Sequence, residues 1–210
     1  MQPSRAPHDT ADASSQANWR SDPPYCPPGL AEFVTESGSL TDRLIATGLR
    51  FAVELLYLGP DRASRDEASL LDMPVDSPVL ARHVALSLDR GVVVVARSLC
   101  RVGCTTWEPV LDRGGRSLGL TLFGDGADIA RGTLSYCDVA APHPLVDLAH
   151  AYSPDTLRFP ARRCRFSRQG ARLIVQEVFL PALATLTPAQ PAPAAASEHR
   201  SPVQIARADR

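Results

Sequence analysis

The sequence predicts an α+β fold built on an antiparallel sheet. Three observations carry this. Helical patterns cluster early in the chain, two hairpin signatures follow them, and the strand–helix–strand alternation that builds parallel sheets is missing. With 44% hydrophobic and 21% charged residues among 210, the apolar content suits one core of ordinary domain size, not two.

The elements follow in chain order. Residues 1–24 are Ser-, Ala-, Asp- and Pro-rich with little hydrophobic pattern, and are expected to lack structure. PPGLAEFVTE opens a short helix behind a proline pair, which suits a first helical turn. SLTDRLIATG is a second helix, with Ser39 as N-cap, Asp42 in the first turn and Gly48 as its stop. Residues 49–59, LRFAVELLYLG, are rich in strand formers. Residues 61–77 read as a loop with a helical turn. VLARHVALSLDRGVVVVARSLC is a hairpin around DRG. GGRSLGLTLFGDG reads as a short helix bounded by glycines, and residues 129–139, IARGTLSYCDV, as a strand. LRFPARRCRFSRQGARLIVQEVFLP is a second hairpin turning at Arg168-Gln169-Gly170. From residue 185 the chain is Pro/Ala-rich and cannot build a core. The folded unit is therefore expected over residues 25–184, with residues 185–210 as a disordered tail.

Composition excludes several functions. A net charge of −1 argues against nucleic acid or a membrane surface as the main partner. All 22 basic residues are arginine, so neither a lysine Schiff base nor a Walker-type phosphate loop is available. No apolar run reaches membrane-span length and the N-terminus has no apolar signal region, so the expected compartment is the cytoplasm. Cys26, Cys100, Cys104, Cys137 and Cys164 are scattered and odd in number, which suits reduced, buried thiols. Cys100 and Cys104 have no second pair at zinc spacing, so no metal site is expected.

Two charges sit on apolar strand faces. Alternation puts Leu173, Val175, Glu177 and Phe179 on one side of the last strand, and Arg82 with Val84, Leu86 and Leu88 on one side of an earlier one. Buried charges are costly unless paired. Three readings are open: an Arg82–Glu177 pair that fixes the fold, a ligand cavity with a cationic and a carboxylate end, or a different register that exposes both. Arg97 falls with Val93, Val95 and Leu99, a supporting position behind such a site. His83 falls opposite Arg82. His143, His150 and Trp107 read as packing or solvated residues, and Arg162, Arg163, Arg165 and Arg168 as a solvated basic face.

The ordered segments SLTDRL, RHVAL, VARSL, GGRSLGLTLF, IARGTLSY and RRCRF…QGARLIVQEVFLP resemble the chorismate–pyruvate lyase family from about residue 30 to 183. The resemblance implies one antiparallel sheet with helices packed on one side and an internal ligand cavity closed by flaps. It implies a lyase that converts chorismate to 4-hydroxybenzoate and pyruvate without a cofactor or metal, feeding ubiquinone or another aryl-carboxylate pathway, as a monomer. Arg82 would hold the ring carboxylate, Glu177 would handle a proton, and Leu40, Leu118 and Gly119 would close over the ligand. Two positions depart from the family pattern, Ser117 where proline is usual and Gln176 where threonine is common, and leave room for a chorismate analogue as substrate. The rival class is a non-catalytic binding domain of the same fold, as in the effector halves of certain regulators. Those carry a DNA-binding domain ahead of it, for which the first 24 residues are too few.

Overall fold

The computed structural model describes residues 17–89, 91–124 and 128–186. Helices α1 (Pro28–Val34) and α2 (Leu40–Ile45) precede strand β1 (Phe51–Arg62). Helix α3 (Arg65–Leu71) leads to the hairpin β2 (Pro78–Leu88) and β3 (Gly91–Arg101). The short helices α4 (Glu108–Leu111) and α5 (Gly119–Leu122) follow, then β4 (Ala130–Arg131), β5 (Ser135–Ala140) and α6 (Pro144–His150). The second hairpin, β6 (Arg158–Arg168) and β7 (Ala171–Phe179), leads to α7 (Ala182–Leu186). The seven strands form a single antiparallel sheet in the order β1-β2-β3-β7-β6-β4, with β5 also pairing β6. This is the expected α+β class.

Local chemistry explains the expected elements. Ser39 caps α2 by accepting from the Asp42 amide at 3.2 Å, and Gly48 takes φ +77° just beyond the helix. The β6–β7 turn needs two left-handed residues, and Gln169 and Gly170 supply φ +51° and +78°. That turn fixes the register: Arg168 faces Ala171, and so Arg162 faces Glu177. Residues 61–77 hold more than a turn, because Glu67 Oε2 accepts from the Ser64 amide at 2.9 Å and closes the start of α3. The strand read over residues 129–139 is two strands, separated by residues 132–134.

The sheet is covered on both faces. Leu173, Val175 and Phe179 of β7 meet a layer built from α1, α2, α4, α5 and α7. Ile174 and Val178 face the other way, where Ala68 and Leu71 of α3 and Leu145, Val146 and Ala149 of α6 pack. Helices thus gather mainly, but not solely, on one side. The folded unit also begins earlier than residue 25. Asp66 accepts from the Ala17 amide at 3.0 Å and Trp19 Nε1 at 2.8 Å, and Arg20 bridges to Tyr136. The buried Asp66 carboxylate helps to recruit this stretch, beside the packing of Ala17 and Trp19 on the sheet. Residues 1–16 and 187–210 lie outside the described residues, whereas 185 and 186 close α7. Among the described residues no helix is long and apolar enough to cross a membrane.

Candidate active site

A cavity lies between the sheet and the layer of α2 and α5. Strand alternation places its charged groups. Arg82 of β2 pairs with Ser98 of β3, Ser98 with Val175 of β7, and Val175 with Cys164 of β6. One pleat along, Ala96, Glu177 and Arg162 form the next row. All seven residues line the cavity. Two strand spacings and one pleat separate the Cα atoms of Arg82 and Glu177, about 11–12 Å. Arg82 is therefore one end of the cavity and Glu177 the other.

Arg82 is 2% exposed. Its Nη2 donates to the Gly114 carbonyl at 2.8 Å and the Arg116 carbonyl at 2.9 Å. Its Nε is buried without a hydrogen bond, and no carboxylate among the described residues pairs with it. Burial pulls its pKa below the ordinary arginine value. Glu177 has a different partner. Arg162 Nε donates to Glu177 Oε2 at 2.5 Å, while Oε1 makes no hydrogen bond to a described residue. The reading of Arg82 and Glu177 as a mutual ion pair is thereby corrected: they share the cavity but not a bond. The solvated reading of Arg162 is corrected too. It is 2% exposed, and its Nη1 donates to the Phe33, Val34 and Glu36 carbonyls at the end of α1.

Two flaps cover the cavity. Leu40 and Thr41 come from α2, and Ser117, Leu118 and Gly119 from the start of α5. The Thr41 and Ser117 hydroxyls hydrogen-bond across the gap, and Ser117 Oγ accepts from the Gly119 amide at 3.1 Å. A Cβ on Gly119 would lie 2.9 Å from Thr41 Cβ and 3.0 Å from Ser39 Oγ. Glycine at 119 is what lets the flaps meet.

Leu40, Arg82, Leu118, Gly119 and Glu177 all line this one cavity. Arg97 does not join them. It keeps the expected face with Val95 and Leu99, but that face belongs to the opposite layer. There its guanidinium binds Glu67 (2.7 and 3.2 Å), Asp61 (2.6 Å) and His83 Nε2 (2.8 Å). Burial would lower its pKa, but Glu67 and Asp61 outweigh burial and raise it. Gln176, the second departure from the pattern, is fully buried on that same opposite side, across from Arg97. The sequence reading missed Arg131, which lines the cavity, and gave no site role to Arg162. The hairpin turn carried a usable signal for Arg162, since counting back from Gln169-Gly170 sets it opposite Glu177.

A family model described as Chorismate lyase matches residues 13–187. A protein of Ralstonia nicotianae named "Probable chorismate pyruvate-lyase" is 38% identical over 165 residues, 75% of this chain and 84% of that one. A protein of the same name from Methylobacillus flagellatus is 37% identical over 158 residues, 73% of this chain and 88% of that one. Among solved structures, the effector domain of PhnF from Mycobacterium smegmatis aligns over 69% of this chain and 90% of its own, at 16% identity and a TM-score of 0.46.

Proposed function

The chain belongs to the chorismate lyase family, and from that premise we propose that it cleaves chorismate to 4-hydroxybenzoate and pyruvate in the Arg82–Glu177 cavity, without a cofactor. One observation carries the reading. Arg82 is a buried guanidinium that faces the cavity with no carboxylate partner among the described residues. A buried unpaired charge is costly, and a planar carboxylate from a ligand offsets that cost through a bidentate fork.

The chemistry demands little beyond position. The ring gives up one proton, the ether C–O bond breaks, and enolpyruvate leaves and takes a proton on its methylene carbon to become pyruvate. No atom is gained or lost, and the ring becomes aromatic. In this reading Arg82 anchors the ring carboxylate and Glu177 handles the proton at the ether end. Arg162 occupies Oε2 and fixes the carboxylate, leaving Oε1 for the substrate. The flaps of α2 and α5 keep the ligand oriented and water out. The same reading has the protein acting as a cytoplasmic monomer whose product feeds ubiquinone or another aryl-carboxylate pathway.

The test is direct. Purified protein is incubated with chorismate and a chelator, and products are followed by chromatography. Equimolar 4-hydroxybenzoate and pyruvate are expected. Intact chorismate that nevertheless binds would make the chain a binding domain, and products other than 4-hydroxybenzoate would mark a lyase for a different analogue.

A further inference from the structure

We propose that Arg131 is a second carboxylate anchor, which makes the cavity selective for a dicarboxylate over a monocarboxylate; the inference rests on the lyase reading above and names the feature of the substrate that its site selects. The cavity holds three arginines and one glutamate. Arg162 is neutralised by Glu177. Arg82 and Arg131 are left without a carboxylate among the described residues, so the cavity carries two uncompensated positive charges. A ligand with one carboxylate satisfies only one of them.

The position of Arg131 fits the second carboxylate. It sits on β4, paired with Phe166 of β6. Its guanidinium lies over the Phe123 ring at 4.9 Å and the Phe166 ring at 6.0 Å, and the two rings meet edge-on. Its Nη1 donates to the Ser37 carbonyl, next to the Glu36 carbonyl that Arg162 holds. This puts Arg131 toward the Glu177 end of the cavity, away from Arg82. Its Nε is buried and makes no hydrogen bond. Contact with both rings restrains the guanidinium, so little freedom is lost when a ligand binds. A substrate whose ring carboxylate lies on Arg82 and whose ether lies at Glu177 carries its enolpyruvyl carboxylate toward Arg131. After cleavage the aryl product retains only the carboxylate on Arg82. Arg131 then holds substrate and not aryl product.

The experiment compares wild type with Arg131→Gln and Arg131→Lys. It measures kcat and KM for chorismate, and the inhibition constant of 4-hydroxybenzoate in the same assay. Arg131→Gln should lower kcat/KM at least about tenfold, the worth of one charged hydrogen bond. The loss should fall on KM, while 4-hydroxybenzoate inhibits as in wild type. Arg131→Lys should recover part of the loss. If chorismate and 4-hydroxybenzoate weaken together, Arg131 only supports the cavity wall and the proposal fails. It fails equally if neither changes. If wild type does not turn over chorismate, the lyase reading falls by itself, and calorimetric titration with the same two compounds decides this inference. Preference for chorismate that Arg131→Gln abolishes sustains it; equal affinities overturn it.

Discussion

A guanidinium sealed inside a protein normally has a carboxylate beside it, and the two arginines nearest Glu177 and Ser98 differ in just this respect. Arg162 has Glu177 and three carbonyls of α1; Arg82 has two loop carbonyls and no acid. Their substitutions should separate. Arg82→Met removes an unpaired buried charge and leaves no carboxylate stranded, and loses only the two hydrogen bonds to the Gly114 and Arg116 loop carbonyls. It should lower kcat/KM by at least about a hundredfold, as loss of a two-pronged charged contact does, with a smaller loss in urea unfolding than Arg162→Met. Activity that survives Arg82→Met would remove Arg82 from the site. Arg162→Met strands the Glu177 carboxylate and the end of α1. It should cost about 3–5 kcal/mol in urea unfolding together with turnover.

At the scale of elements, the flaps depend on one missing methyl group. Gly119→Ala puts a Cβ against Thr41 and Ser39, so α5 must back away from α2 and the Thr41–Ser117 hydrogen bond must stretch. Overpacking of this kind costs about 1–3 kcal/mol, and the cavity mouth opens. The expected result is a raised KM for chorismate with the fold retained, measured by kinetics beside thermal melting. The hairpins were legible because turn chemistry is local. Gln169-Gly170 sets a register that carries Glu177, Arg162 and Cys164 to one face. Arg82 was legible for the same reason, through alternation within β2. Alternation also grouped Arg97 correctly with Val95 and Leu99, yet which layer each face meets is decided by helices far away in sequence. Arg131 stayed hidden because a two-residue strand has too little pattern to define a face. The arginines at 162, 163, 165 and 168 look like a surface charge run in one dimension. In the fold Arg165 is exposed, Arg162 is sealed, and Arg163 lies 4.3 Å over the Trp19 ring.

For the molecule as a whole, the layer opposite the cavity ties together segments distant in the chain. Arg97 joins β3 to α3 and β1 through Glu67 and Asp61. Beside it, Asp66 joins α3 to residues 17–19 and faces His143, the N-cap of α6, at 3.5 Å. Burial alone would raise the Asp66 pKa. The nearby His143 imidazole, the hydrogen bonds from Ala17 and Trp19, and the charge of Arg163 outweigh burial and hold it below the ordinary carboxylate range. A carboxyl whose folded pKa is depressed adds stability that is fully present above its unfolded value, about 3.9, and lost as pH falls through the folded value. Asp66→Asn should therefore destabilise the protein by about 1–3 kcal/mol at neutral pH, and the gap to wild type should close as pH drops below about 4. Urea titrations between neutral pH and strong acid measure the gap. The chain has two tryptophans, Trp19 and Trp107, so Trp107→Phe leaves Trp19 as the only tryptophan, excited selectively over the four tyrosines, to follow docking of the N-terminal segment. In that background the Trp19 signal should shift before the sheet unfolds as acid is added, because Asp66 accepts two of the hydrogen bonds that tie the segment to α3. A Trp19 signal that changes only with global unfolding, or a gap between Asp66→Asn and wild type that persists into strong acid, would show that Asp66 fixes the segment by shape and not by charge.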